Sequence, residues 1–453
     1  MKELLKKLRW KWHRDLTEGS LQELSAKLDK LEKLCTLEEL RTLEELRTLE
    51  GLRAEVKGLA VKGTGNTEDF GLKPICTEPE KQDGLPDSLA FPVKLEKVFS
   101  LLEDWESKKL LLARSYISRA QPRNLVPLFQ YLMESKRRGN PKDLISLLRD
   151  QKKGAGKKLV VFGTSSFAKE IIDVCLALGI RIDYICREDN AGAYLLPGIP
   201  PVLLGDQYLN IPIISEEELL LHHADSEVLV MELFCAYVQQ DLEKRGFPKG
   251  HCWWRHSQWE LQYLDPEIMK PHGHEVYIDG GVLDLQNTAE FIEWCGGEYD
   301  AVYAFEPDRE NYQHCMERLE SDAILDKTRV HLFHAALWNR DETLSFVDGD
   351  SGSSRISESG NAGVQARSID SVLQGDPVTF IKLDIEGAEM NALRGAAQSI
   401  QKWKPRLAVC IYHKPEDITE IPLYIHSLVP EYKMYIRHYS TCEAETVLYC
   451  VCE

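Results

Sequence analysis

From Lys157 to the C-terminus the chain alternates short, β-rich apolar runs with helix-like stretches, and no other feature narrows its fold as much. KKLVVFG opens the series, a helix-like stretch runs from Phe167 to Leu178, and IRIDYI follows as a second apolar run. Strand, turn, helix, strand is the beginning of a βαβ unit, the arrangement that lets neighbouring strands lie parallel. PIISEEELL and SEVLVMEL extend the pattern to about residue 240, and a second series starts at EVYIDGGVLDLQNT, Glu275 to Thr288. An α/β architecture in two or three pieces is expected, because 453 residues exceed one ordinary hydrophobic core.

The N-terminal part reads differently. Residues 1–62 are expected to form a helical arm: the first sixty contain no proline and are dense in Leu, Glu, Lys and Arg. TLEELR occurs at Thr36–Arg41, repeats at Thr42–Arg47 and returns as TLEGLR at Thr48–Arg53. Leucines at three-residue steps wind around a helix, whereas a coiled coil needs an average near 3.5. The arm is therefore open between an oligomerising helix, which would make the chain a homo-oligomer, and a solvated arm. MKELLKKLRWKWHR, residues 1–14, mixes basic residues with leucine and tryptophan, a composition that suits either peripheral membrane contact or packing on a neighbouring domain. Residues 63–92 gain glycine, proline and acidic residues and read as a linker, and 93–150 as a second helical segment.

Composition excludes several function classes. A formal net charge of -18 disfavours an electrostatic grip on nucleic acid or on an anionic bilayer by the whole molecule. Twelve cysteines without CxxC pairs, and no basic stretch followed by an apolar segment at the start, point to a reducing, cytoplasmic setting. No apolar run approaches the roughly eighteen residues of a membrane helix. His272 and His274, and Cys450 with Cys452, lack a second ligand pair at metal-binding spacing, so no structural metal is expected.

The chemistry is expected at strand ends. EVYID places Asp279, Gly280 and Gly281 at the carboxyl edge of a strand, where open α/β sheets bind ligands. AVYAFEP ends in Glu306, twenty-seven residues beyond Asp279, and an acid there can accept hydrogen bonds from both hydroxyls of a ribose. Donors built on NAD or on other nucleosides share that logic. VTFIKLD ends in Asp384 with Glu386 behind it, and LAVCIYH ends in His413. Asp384 is open between a functional carboxylate and a helix cap, and His413 between a general base and a structural histidine. DGDSGSSR, Asp348 to Arg355, is either a polar acceptor-binding loop or a hairpin tip.

EVYIDGGVLDLQNT, AVYAFEP, RVHLFHAALW, LSFVDGDSGSSRIS, VQARSIDSVL, VTFIKLDIEGAEMNALRGA and PRLAVCIYHKPEDITEIPLYI, in that order, resemble the FkbM family of S-adenosylmethionine (SAM)-dependent methyltransferases over residues 268–453. The resemblance implies a class I methyltransferase fold with a doubly wound sheet, and SAM as cofactor. It implies that Asp279, Gly280 and Gly281 hold the methionine part of the donor, that Glu306 takes its ribose, that Ala335 belongs to the cofactor-binding set, and that Asp384, Glu386 and Gly387 lie beside the transferred methyl. Leu285 stands where the family carries a glycine, which puts the tightness of that loop in question. Asp384, Glu386 and His413 are the expected catalytic residues. Residues 157–250 resemble the Rossmann-like N-terminal domain of sugar-amine acetyltransferases and similar nucleotide-sugar-associated modules, but Gly163-Thr-Ser-Ser-Phe167 replaces GxGxxG. A degenerate scaffold or an acceptor-docking role is expected there, with a sugar, glycan or other polar hydroxyl compound as acceptor. The competing readings are a non-catalytic module that binds a glycan or partner, and an NAD-dependent sugar-modifying enzyme.

Overall fold

The computed structural model describes residues 91–117, 125–135, 144–154, 156–188, 202–230, 235–254, 262–347, 355–356, 362–441 and 443–452. The helical arm, residues 1–14 with it, nearly all of the linker, and positions 348–354 of the polar loop lie outside them. From residue 91 onward the chain belongs to one compact unit.

Among the described residues four helices come first: α1 (Phe91–Leu101), α2 (Trp105–Ile117), α3 (Val126–Glu134) and α4 (Leu144–Lys152). A six-stranded sheet follows, formed by β1 (Leu159–Phe162), β2 (Tyr184–Cys186), β3 (Gln207–Tyr208), β4 (Ile211–Ile214), β5 (Glu227–Val230) and β6 (Cys252–Trp254) in the order β3-β4-β2-β1-β5-β6. All its pairs are parallel except the β3–β4 hairpin. Its helices are α5 (Ser166–Ala177), α6 (Glu216–His222) and α7 (Cys235–Lys244). Ser165 starts α5 by accepting from the Ala168 amide, and Ser215 starts α6 by accepting from the Glu218 amide. All four residues of β1 are buried, as expected of a central parallel strand covered on both faces.

The C-terminal sheet is built from β7 (Glu275–Gly280), β8 (Tyr299–Phe305) and β9 (Val330–Phe333), then, after β10 (Ala336–Leu337), β11 (Glu342–Val347), β12 (Arg355–Ile356) and β13 (Ala362–Arg367) have formed a small separate sheet, from β14 (Phe380–Leu383), β15 (Arg406–Cys410), β16 (Lys433–His438) and β17 (Thr446–Val451). Its order is β16-β17-β15-β14-β7-β8-β9, with β17 antiparallel to both neighbours. That is the doubly wound class I methyltransferase sheet. The chain runs outward from β7 through β8 to β9 and then returns to the other side of β7 as β14, so a crevice opens at the carboxyl ends of β7 and β14. Helices α8 (Gln286–Trp294), α9 (Arg309–Ser321), α10 (Ile369–Leu373), α11 (Glu389–Arg394), α12 (Ala397–Trp403) and α13 (Asp417–Leu428) complete the chain.

The N-terminal helices close the exposed edge of this sheet. Glu103 donates its amide to the Met434 carbonyl at 3.0 Å, and Ser107 takes the Ile436 amide at 2.9 Å. Arg437 reaches Asp104 at 2.6 Å. An open β16 edge would otherwise present a row of unpaired backbone groups. A shared apolar core runs from Val98 through Leu159 to Cys450, so the helical segment and both sheets pack as one body. Among the described residues no helix is long and apolar enough to cross a membrane.

Candidate active site

The loop after β7 shapes the crevice. Gly281 has a φ of +76°, and a Cβ there would collide with the backbone carbonyl oxygen of Asp384. Only glycine lets the β7 loop lie directly on the end of β14. Gly280 is confined as well, between Leu337, Leu383 and the Lys382 carbonyl. Two residues on, the Leu283 amide donates to Glu306 Oε2 at 2.9 Å, and Glu306 Oε1 takes the Asp308 amide at 2.9 Å. Burial pushes the Glu306 carboxyl up, against the pull of the two amides. A buried acid fixed by backbone donors at the end of the second strand fits a ribose diol.

Leu285 occupies the expected glycine position and keeps the backbone a glycine would adopt, with φ +61°. Its side chain is fully buried in the core under the loop. Leu283 is also left-handed, at +53°, but half exposed. The missing glycine leaves the turn's course intact, at a backbone cost of about 1–2 kcal/mol per left-handed residue.

Asp279 does not face the crevice. It is buried, accepts the Thr288 hydroxyl at 2.7 Å and pairs with Lys382 Nζ at 3.1 Å. The same ammonium donates to the carbonyls of Gly280 at 3.0 Å and Gly281 at 2.7 Å. Asp279 and Lys382 thus brace the glycine turn from below. Ala335 is buried between β9 and β10, at the carboxyl edge shared with Glu306.

The second flank of the crevice is a carboxylate–imidazole cluster. Asp384 accepts the Tyr263 hydroxyl at 2.7 Å and the Tyr412 hydroxyl at 3.1 Å. It is not a helix cap: α11 begins at Glu389 behind Ala388, with no side-chain cap. Burial pushes Asp384 up, but Lys382 and His413 outweigh it and hold the carboxyl below its usual range. Glu386 sits in the left-handed region at φ +55°, followed by Gly387 at +92°, and this reversal turns the chain back over the strand end. His413 lies three residues past β15. Its Nε2 is 3.5 Å from Asp384 Oδ1 and 3.8 Å from Glu386 Oε2, and its Nδ1 is 2.9 Å from Glu389 Oε1. Burial opposes protonation, yet the Glu389 bond and the neighbouring carboxylates raise the imidazole to about 9. In this state His413 carries a proton at neutral pH, which differs from the base poised near neutrality that its sequence position suggested.

Asp384, Glu386 and His413 therefore converge, and Glu306 stands on the other flank of the same glycine loop. Three participants were missed. Glu389 is buried, binds the amides of Ile385 at 2.9 Å and Gly387 at 3.4 Å, and orients His413. Its signal was an acid in the first turn of an apolar helix. Lys382 was detectable as a lysine inside the apolar strand FIKL, which must find a buried partner. Tyr263 lies before residue 268, so the expected domain boundary falls inside the site. Of the polar loop, Arg355 alone is described, in β12.

The sheet order and this crevice define a class I methyltransferase domain. Residues 276–436 match the family model described as "Methyltransferase FkbM domain", a match that supports SAM as the cofactor. Similar solved structures include methyltransferase FkbM from Methylobacillus flagellatus KT, 19% identical, covering 80% of this chain and 100% of that one, with a TM-score of 0.37. A putative rRNA-methylase from Clostridium thermocellum is 12% identical over 43% of this chain and 94% of its own, with a TM-score of 0.29. Aeropyrum pernix fibrillarin with natively bound S-adenosyl-L-methionine is 9% identical over 43% and 75%, at 0.28. No curated protein matches the chain.

Proposed function

We propose that the chain transfers a methyl group from SAM to a hydroxyl oxygen of a sugar-like, glycan or other polar acceptor. The observation that carries this reading is the reach of one short loop: Gly281 rests on Asp384 while Leu283 holds Glu306, so a nucleoside-binding acid and a proton-handling cluster share one crevice. SAM supplies a methyl carbon already activated on a sulfonium. The carbon–sulfur bond breaks with its electron pair going to sulfur as the carbon–oxygen bond forms, and the hydroxyl proton leaves to the carboxylate cluster. The protein's task is alignment, which converts a bimolecular encounter into a directed one. Asp384, Glu386 and His413 suit an acceptor hydroxyl because they offer carboxylate oxygens and a cationic ring at one strand edge. The free thiols among the described cysteines support a reducing, cytoplasmic setting.

The test is calorimetry of the full chain with SAM. Glu306→Ala is expected to weaken binding by about 1.5–3 kcal/mol for each ribose hydrogen bond lost. Unchanged affinity rejects the ribose role, and a folded chain that binds no donor would make the domain a partner-binding module instead.

A further inference from the structure

The carboxylate–imidazole cluster has a geometric mismatch. His413 Nε2 faces Asp384 Oδ1 at 3.5 Å and Glu386 Oε2 at 3.8 Å, both beyond hydrogen-bond length, which ends near about 3.2 Å for nitrogen and oxygen. Neither buried ring nitrogen makes a hydrogen bond of good geometry, although Nδ1 keeps its ion-pair contact with Glu389, and buried Glu389 Oε2 has no hydrogen-bond partner either. His413 is nine-tenths buried. Two ligand atoms on one cation at about 2.0–2.2 Å stand roughly 3.0–3.6 Å apart, so the 3.5 Å contact to Asp384 matches such a pair and the 3.8 Å contact to Glu386 is slightly longer. The other ring nitrogen is 2.9 Å from Glu389, itself anchored by two backbone amides. Ligand atoms of Asp384, Glu389 and His413 also lie within 4.8 Å of one another.

We propose that Asp384, Glu389 and His413 bind a divalent cation at the carboxyl edge of β14 and β15, with Glu386 beside it. Two carboxylates and one imidazole, which sheds its proton when it takes up the ion, suit Mn2+ or a similar ion. The cation would sit where an acceptor hydroxyl is expected, and three protein ligands leave coordination positions for that oxygen. The proposal shares residues with the methyl-transfer reading, so its test has to separate the two.

Chelator-treated full chain, without SAM, is titrated with Mn2+ alone and free Mn2+ is followed by electron paramagnetic resonance. One Mn2+ per chain is expected. Affinity should fall at least about tenfold in Glu389→Gln, and less in Glu386→Gln, a half-exposed residue whose replacement preserves size. Asp326→Asn, on a surface turn, should leave binding unchanged. No stoichiometric binding, or binding insensitive to both cluster variants, overturns the metal site. Displacement of Mn2+ one for one by S-adenosylhomocysteine also overturns it, since the donor's ammonium would then be the cation served. Parallel calorimetry with S-adenosylhomocysteine keeps the readings apart: donor binding without Mn2+ binding removes only the metal.

Discussion

The two parallel sheets pose the same question at the same place and answer it differently. In each, a first strand ends in a glycine-containing turn and a second strand ends in a glutamate that the turn holds. In the C-terminal sheet, Glu306 is held by backbone amides, and the Gly281 turn lies open against β14. In the smaller sheet, Glu188 takes the Thr164 amide at 2.9 Å and the Thr164 hydroxyl at 2.7 Å. The amides of Val202 and Leu203 then bind the Thr164 carbonyl at 2.8 and 3.1 Å, laying a strap of chain across the turn. A glutamate at the second strand end is thus no evidence of a nucleoside site by itself. What matters is whether the turn is braced from beneath, leaving its upper side to a ligand, or tied down from above.

The largest effect should come from removing the brace. Lys382→Met keeps the side-chain length but leaves Asp279 buried without its partner, which typically costs about 3–5 kcal/mol. Chemical denaturation should show that loss, and a shift below about 1 kcal/mol would mean that the turn is held some other way. Leu285→Gly restores the residue the family pattern carries and should still destabilise, by about 2–4 kcal/mol, because a fully buried leucine leaves a cavity larger than the relief of backbone strain. If that variant proves as stable as the parent, the leucine is a tolerated defect and the core under the loop collapses without it.

These two positions show how far the sequence carries. Alternating apolar runs revealed the strands because a doubly wound sheet buries them on both faces, and IDGG, FEP and LDIEGAE marked strand ends where polar residues interrupt apolar runs. Asp384, Glu386 and His413 could be grouped because strand order brings sequential parallel strands side by side. Which way each carboxylate points was not legible. Asp279 and Asp384 both follow apolar strands, yet one pairs downward with Lys382 and the other faces Tyr263 and Tyr412, a difference made by contacts from distant segments. Tyr263 carries no local motif, and the place of Glu389 at the end of LDIEGAE does not say what it touches, so their roles emerge only when the chain has closed on itself.

A smaller effect tests the glutamate held by the other turn. Thr164→Val removes the hydroxyl bond to Glu188 and leaves one buried carboxylate oxygen short of a donor, at a cost of about 1–3 kcal/mol. SAM affinity should be unchanged. A matching loss of affinity, measured by calorimetry on the folded variant, would show that the small sheet belongs to the donor site and that the contrast between the two crevices is misplaced.

The smallest expected change is at Leu283, and its sign is the informative part. This residue shares the loop and the left-handed backbone of Leu285, but its side chain is 49% exposed. Leu283→Gly removes about 1–2 kcal/mol of left-handed strain. Against that stand about 0.5–1 kcal/mol for the added freedom of glycine in the unfolded chain and the modest burial of a half-exposed side chain. The net stability change should lie within about 1 kcal/mol of zero, unlike that of Leu285→Gly in the same turn. The Leu283 amide stays in place to hold Glu306, so a rigid loop predicts unchanged SAM affinity. If stability is unchanged but affinity falls by more than about tenfold, or about 1.4 kcal/mol, the exposed leucine side chain touches the donor directly. That outcome would extend the crevice from Glu306 outward along the loop, and it would place an apolar contact where only the polar ribose contact is now assigned.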